Sequence, residues 1–127
     1  MNKKIVHTSN APEPIGPYSQ AIIAGDFIFL SGQIAIDAKT QQIEAGGIGE
    51  QTRKVLENLQ VVLEASGTNM KSVVKTTIFL KSMDDFPQVN TIYAEYFGKT
   101  VPARSTVEVS RLPKNVLIEI DCIALKS

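Results

Sequence analysis

Arg104 stands in the run Pro102-Ala103-Arg104-Ser105-Thr106-Val107-Glu108-Val109, in a chain with three arginines and ten lysines. A guanidinium offers a fixed fork of donors that matches a planar carboxylate, which a flexible ammonium does not. The run reads as a strand. A second, apolar run at 116–125 follows closely and carries Glu119 and Asp121. An arginine held in a sheet with carboxylates on the next strand can grip a planar anion. The same residues can equally close on themselves as an ordinary buried ion pair between Arg104 and Glu119 or Asp121. Residue types alone leave both readings open. Other candidates for chemistry are poor. One histidine, His7, and one cysteine, Cys122, do not make up the common zinc sets, so no metal site is expected. A nucleophilic triad built on His7 lacks partners. Cys122 falls on one face with Ile118 and Ile120, the setting of a small buried hydrophobe. Gly46-Gly47-Ile48-Gly49 precedes a helix but matches neither the P-loop nor the dinucleotide fingerprint.

The elements that must position Arg104 follow from the patterning. Residues 4–8 form a short edge strand and 10–17 a proline-rich loop. Residues 20–24 and 27–36 are strand-like, joined by a two-residue turn at Gly25-Asp26. Residues 48–65 are helical, with Val55, Leu56, Leu59, Val62 and Leu63 at helical spacing and Gly67 suited to a left-handed cap. Residues 72–81 are rich in β-branched side chains and read as a strand. Ser82 or Asp84 caps a second helix whose stripe is Phe86, Val89, Ile92, Tyr93, Tyr96 and Phe97, and Gly98 ends it. Residues 103–109 and 116–125 are the last two strands.

The order β-β-β-α-β-α-β-β over residues 1–127 predicts a single α+β domain with two helices on one face of one sheet. Several strands are apolar on both faces, so the uncovered face is expected to be buried in a homo-oligomer. With the last two strands paired as neighbours, Val107 and Val109 share the helix-covered face with Val116 and Ile118. Arg104, Thr106, Glu119 and Asp121 then gather on the other face, Thr106 opposite Glu119 and Arg104 opposite Asp121. That register places the polar cluster at a subunit interface.

Formal net charge is zero over 127 residues and the lysines are dispersed. Such a chain is a poor match for nucleic acid or an anionic membrane. No apolar stretch approaches the roughly 20 residues of a membrane span. The first residues lack a signal-peptide core. A single cysteine permits no internal disulfide and points to a reducing, cytoplasmic setting.

Read in order, a set of short segments resembles the Rid (YjgF) family of enamine/imine deaminases across essentially the whole chain. They are Ala11-Pro12 through Ile15-Gly16-Pro17-Tyr18-Ser19-Gln20-Ala21, Leu30-Ser31-Gly32-Gln33-Ile34, Glu50-Gln51-Thr52, Asp85-Phe86 through Val89-Asn90, Pro102-Ala103-Arg104-Ser105, and Arg111-Leu112-Pro113-Lys114 through Ile118-Glu119-Ile120. The resemblance implies a chorismate-mutase-like fold and a homotrimer, with a central barrel, outer helices and clefts between subunits. It implies hydrolysis of short 2-imino and 2-enamino acids, such as 2-iminobutanoate and 2-iminopropanoate, to 2-keto acids and ammonia, without a cofactor. By the same resemblance, Arg104 binds the substrate carboxylate and Glu119 positions water. Tyr18 closes the cleft from the adjacent subunit. Ser31 and Gly32 supply hydroxyl and backbone contacts, and Ser105, Thr106, Asn90 and Phe86 lie at the cleft. Many members carry cysteine where Thr106 stands here; a role through the backbone N–H survives that change. The alternatives that the resemblance brings are a non-catalytic sensor of small carboxylates and an endoribonuclease.

Overall fold

The computed structural model describes residues 2–127. Its elements are β1 (Lys3–Val6), β2 (Ala21–Ala24), β3 (Phe27–Gln33), α1 (Ile48–Ala65), β4 (Val73–Leu80), α2 (Phe86–Phe97), β5 (Ala103–Glu108) and β6 (Ile118–Leu125). One six-stranded sheet runs in the order β1-β2-β3-β6-β4-β5, with both helices packed on one face. The predicted element order and the two-helix layer are those observed.

Local chemistry accounts for the joints. Gly25 takes a positive φ of 61° between β2 and β3, at the first central position of the hairpin, where glycine carries no steric penalty. Helix α1 is closed off by Gly67 (φ +84°), two residues past Ala65, with Gly67 N–H donating to the Glu64 carbonyl and Thr68 N–H to the Leu63 carbonyl. These two hydrogen bonds satisfy carbonyls the helix would otherwise leave open. Val55, Leu56, Leu59, Val62 and Leu63 on α1 are wholly buried against Ile28, Ile78, Leu80, Ile118 and Ile120 of the sheet.

The last two strands are not neighbours. β4 lies between them, paired antiparallel to β6 and parallel to β5. The expected hairpin register, Thr106 opposite Glu119 and Arg104 opposite Asp121, is therefore replaced. One row across the sheet holds Arg104, Thr76 and Cys122, and the next row on the same face holds Thr106, Ile78 and Ile120. A row on the opposite face holds Val107, Phe79 and Glu119. Arg104 and Thr106 thus share the helix-covered face, while Val107 and Glu119 face away from it. The reason lies in composition. β6 is apolar on both faces, which suits a central strand flanked on each side. Its two edges are taken by β3 and β4, so the polar β5 is left at the sheet's margin, where polar strands belong.

The uncovered face is apolar and open. Phe27, Phe29, Val107 and Leu125 are each between 42% and 45% exposed there. β3 also ends earlier than its pattern suggests, at Gln33, and Ile36 makes only an isolated bridge to Ile43. Ile34, Ile36 and Val116 pack together as a small separate cluster.

Candidate functional site

The register that separates Arg104 from Glu119 divides the expected site residues into two groups. The first is a groove of about 290 Å³ lined by Tyr18, Ser31, Gly32, Glu119, Ile34 and Pro12, among others. A break in the β3–β6 ladder between Leu30 and Gln33 makes it possible, because it lifts Ser31 and Gly32 out of the pairing. The Ser31 hydroxyl donates to the Ser19 carbonyl at 2.6 Å, and Ser31 N–H donates to the Gln20 carbonyl. The proline-rich loop is pinned beside it by one buried side chain. Gln20 donates to the Thr8 and Pro12 carbonyls at 3.1 and 2.9 Å and accepts from Thr8 N–H at 2.7 Å. The Tyr18 hydroxyl accepts from Ile15 N–H at 3.3 Å, which turns its ring along the groove.

Glu119 projects from β6 over Gly32. A Cβ on Gly32 would overlap the Glu119 carboxylate, lying 2.9 Å from its Cδ and 3.1 Å from its Cγ. The carboxylate occupies the space that the missing side chain leaves. Burial raises its pKa above the ordinary carboxylate value, and the nearby Asp121 adds to the rise. Asp121 is itself raised by burial, an effect that Lys75 opposes. A partly desolvated carboxylate with no cation beside it is a better proton acceptor than one in water.

The second group lies at the sheet's margin. Arg104 is exposed on β5, beside a cleft of about 410 Å³ that Asn90, Tyr93, Ala94, Val101 and Pro102 also line. Its guanidinium carbon sits 5.1 Å from the Phe86 ring centroid and 4.9 Å from that of Tyr93. Among the described residues the ion pairs found involve His7, Arg53 and Lys54, not Arg104. The reading of Arg104 as half of an internal ion pair with Glu119 or Asp121 is thereby set aside. Thr106 shares the face of Arg104, with its hydroxyl buried and unpartnered. Ser105, in register with Thr77 and Asp121, points the other way.

The chain therefore brings Tyr18, Ser31, Gly32 and Glu119 together, and separately Arg104, Phe86 and Asn90. The two groups lie on opposite faces of the sheet. Tyr93, which the periodicity marks as helix core, joins the second group unforeseen. Its signal was the stripe that places Phe86 and Tyr93 two helical turns apart on one face. Gln20 was readable only as the polar residue at the head of a strand. Cys122 is buried, and burial first, then Asp121, pushes its thiol up to about 12, which disfavours the nucleophilic thiolate. Among the described residues no group of three or more His, Cys, Asp or Glu side chains could hold a metal ion. No helix among them is long and apolar enough to cross a membrane.

The chain matches known proteins over nearly its whole length. The family described as Endoribonuclease L-PSP matches residues 8–126. A RutC family protein of Pyrococcus horikoshii is 59% identical over 124 residues, covering 98% of each chain. A 2-iminobutanoate/2-iminopropanoate deaminase of Dermatophagoides farinae is 44% identical over 123 residues, covering 97% of this chain and 96% of its own. A crystal structure of a Rid family protein from Yersinia pestis superposes with a TM-score of 0.95 at 50% identity, covering 98% of this chain and 99% of that one.

Proposed function

Because the chain belongs to the Rid (YjgF) family, we propose that it hydrolyses short 2-imino acids to 2-keto acids and ammonia, in clefts shared between the subunits of a homotrimer. One observation carries this reading. Arg104 is a cation and Glu119 a partly desolvated carboxylate, and neither is in an ion pair among the described residues. They face opposite sides of the sheet, and in this reading a second copy supplies the missing half. The apolar open face around Phe27, Phe29 and Leu125 is the surface such a partner would cover.

In the reaction Arg104 binds the substrate carboxylate with its paired donors. Glu119 and Tyr18 come from the neighbouring subunit, together with the backbone of Ser31 and Gly32. Water adds through oxygen to the carbon of the protonated imine as Glu119 takes one of its protons, and the C=N π pair moves onto nitrogen to give a neutral carbinolamine. In its collapse Glu119 returns its proton to nitrogen, the hydroxyl proton passes to solvent, the C=O bond forms and the C–N bond breaks to release ammonia. An imine carbon is already electrophilic, so one positioned base, worth roughly 10²–10⁴-fold, is sufficient. No organic cofactor enters the scheme.

The test couples the protein to a threonine dehydratase and follows 2-oxobutanoate release. The parent protein is expected to shorten the lag while released imine hydrolyses. Arg104→Ala should lose most of that acceleration, on the order of 2–5 kcal/mol of transition-state stabilisation, while eluting at the parental size. Binding of 2-oxobutanoate without acceleration would instead mark a sensor.

A further inference from the structure

We propose that Tyr93 is a positioning residue for Arg104: with Phe86 it forms an aromatic seat for the guanidinium, and the Thr76 hydroxyl locks that seat. The inference deepens the reading of Arg104 as carboxylate receptor. Five of the six β5 residues, Arg104 included, are exposed, so the strand itself gives a long side chain little to rest on. An unsupported arginine would lose its rotamer freedom when it bound a ligand, at a cost in affinity. The two rings lie within the range at which a cation is attracted to an aromatic face. That attraction consumes no carboxylate, so the charge is held without being neutralised.

The seat is itself anchored. Tyr93 is 4% exposed, and its ring packs on Phe97 with centroids 4.5 Å apart. Its hydroxyl shares a 2.7 Å hydrogen bond with the Thr76 hydroxyl in the interior. Thr76 is wholly buried in β4, directly in register with Arg104 across the β4–β5 pair. A hydroxyl in such a place costs stability unless it is hydrogen-bonded, and Tyr93 is the partner it finds. Packing alone would be served by valine at 76 and phenylalanine at 93. The polar pair makes sense as a device that fixes the ring beneath the cation.

The test joins ligand binding to a readout that needs no substrate. The Nε–H signal of Arg104, assigned by its loss in Arg104→Lys, should be displaced by ring currents relative to Arg53 and Arg111. Tyr93→Leu should return it towards the other two. The same variant should raise KM for 2-iminobutanoate and Kd for 2-oxobutanoate about three- to tenfold, the size of one cation–π contact, with kcat changed less than KM. Tyr93→Phe keeps the ring and should show the smaller rise. If Tyr93→Leu does not fold, Phe86→Leu takes its place. An Arg104 signal unmoved by loss of the ring, or equal losses in Tyr93→Leu and Tyr93→Phe, overturns the seat. A displaced signal in a parent protein that binds no 2-oxobutanoate supports the seat and sinks the deaminase reading instead.

Discussion

Glu119 and Arg104 sit on strands of opposite character. β6 has neighbours on both sides and alternates buried with half-buried residues, and Glu119 has lost part of its hydration there. β5 is a margin strand with almost every residue exposed, and Arg104 keeps its charge in the open against two rings. A carboxylate that must take a proton gains from desolvation, which raises its basicity. A cation that must capture a carboxylate gains from being reachable and unpaired. In the proposed reaction the sheet gives each group the environment its task requires, and it holds the two apart. Association of subunits, in this reading, is what unites them.

That comparison is broken or kept most sharply by mixing. Arg104→Ala and Glu119→Gln, each assembled alone, should lose on the order of 10²-fold or more in kcat/KM. Unfolded together and refolded as mixed oligomers, they should recover roughly a quarter of the parental rate, the share of clefts with one sound half from each chain. A site contained within one chain would show no recovery at any ratio, and so would end the two-subunit account. Stability provides a second reading. Glu119 has a raised pKa in the folded chain, so its protonated form favours folding. That contribution is present below the ordinary carboxylate range and is lost as pH rises through the folded value. Glu119→Gln removes the ionised form and should melt higher than the parent at neutral pH.

A narrower test concerns the groove. Gly32→Ala inserts a methyl where the Glu119 carboxylate lies. The flexible carboxylate must move before the backbone does. We expect kcat to fall about ten- to a hundredfold, as for a misplaced catalytic group, while 2-oxobutanoate still binds at Arg104. The acid limb of the pH profile carries the direction. In the parent it should lie above the ordinary carboxylate range, because burial is the first cause of the raised pKa. Pushing Glu119 towards water should bring that limb down. An acid limb that stays put would mean that Gly32 serves the ligand through its backbone alone.

How much of this was legible in the sequence differs between the same two regions. Helix α1 was readable to the residue, since Val55, Leu56, Leu59, Val62 and Leu63 keep strict helical spacing and Gly67 stops it. The Gly25 turn and the strand character of β4 and β6 were equally plain. The position of β5 was not. Local patterning says that a segment is extended, but it does not say which neighbour it takes. The clue was present in the contrast between an apolar β6 and a polar β5, yet proximity in the chain suggested a hairpin. The face occupied by Arg104 was lost with that pairing, and the role of Tyr93 with it. The groove fared better. Glu119 was visible as a carboxylate in an apolar strand and Ser31 and Gly32 were named through a family resemblance, whereas the void over Gly32 is visible only once β3 and β6 are laid side by side.

Thr106 is the place where the two environments meet, and it yields the smallest effect. It shares a row with Ile78 and Ile120, both fully buried, and its hydroxyl has no hydrogen-bond partner. A buried unsatisfied hydroxyl costs about 1–3 kcal/mol, and valine has the same shape without it. Thr106→Val should therefore stabilise the protein by about 1 kcal/mol, seen as a rise of a few degrees in Tm. Valine retains the backbone N–H, so if that group is what position 106 offers a substrate, turnover should fall by no more than about threefold. A loss of tenfold or more would show that the hydroxyl waits for the ligand, and that the margin of the sheet holds a second group, beside Arg104, kept unsatisfied until a substrate arrives.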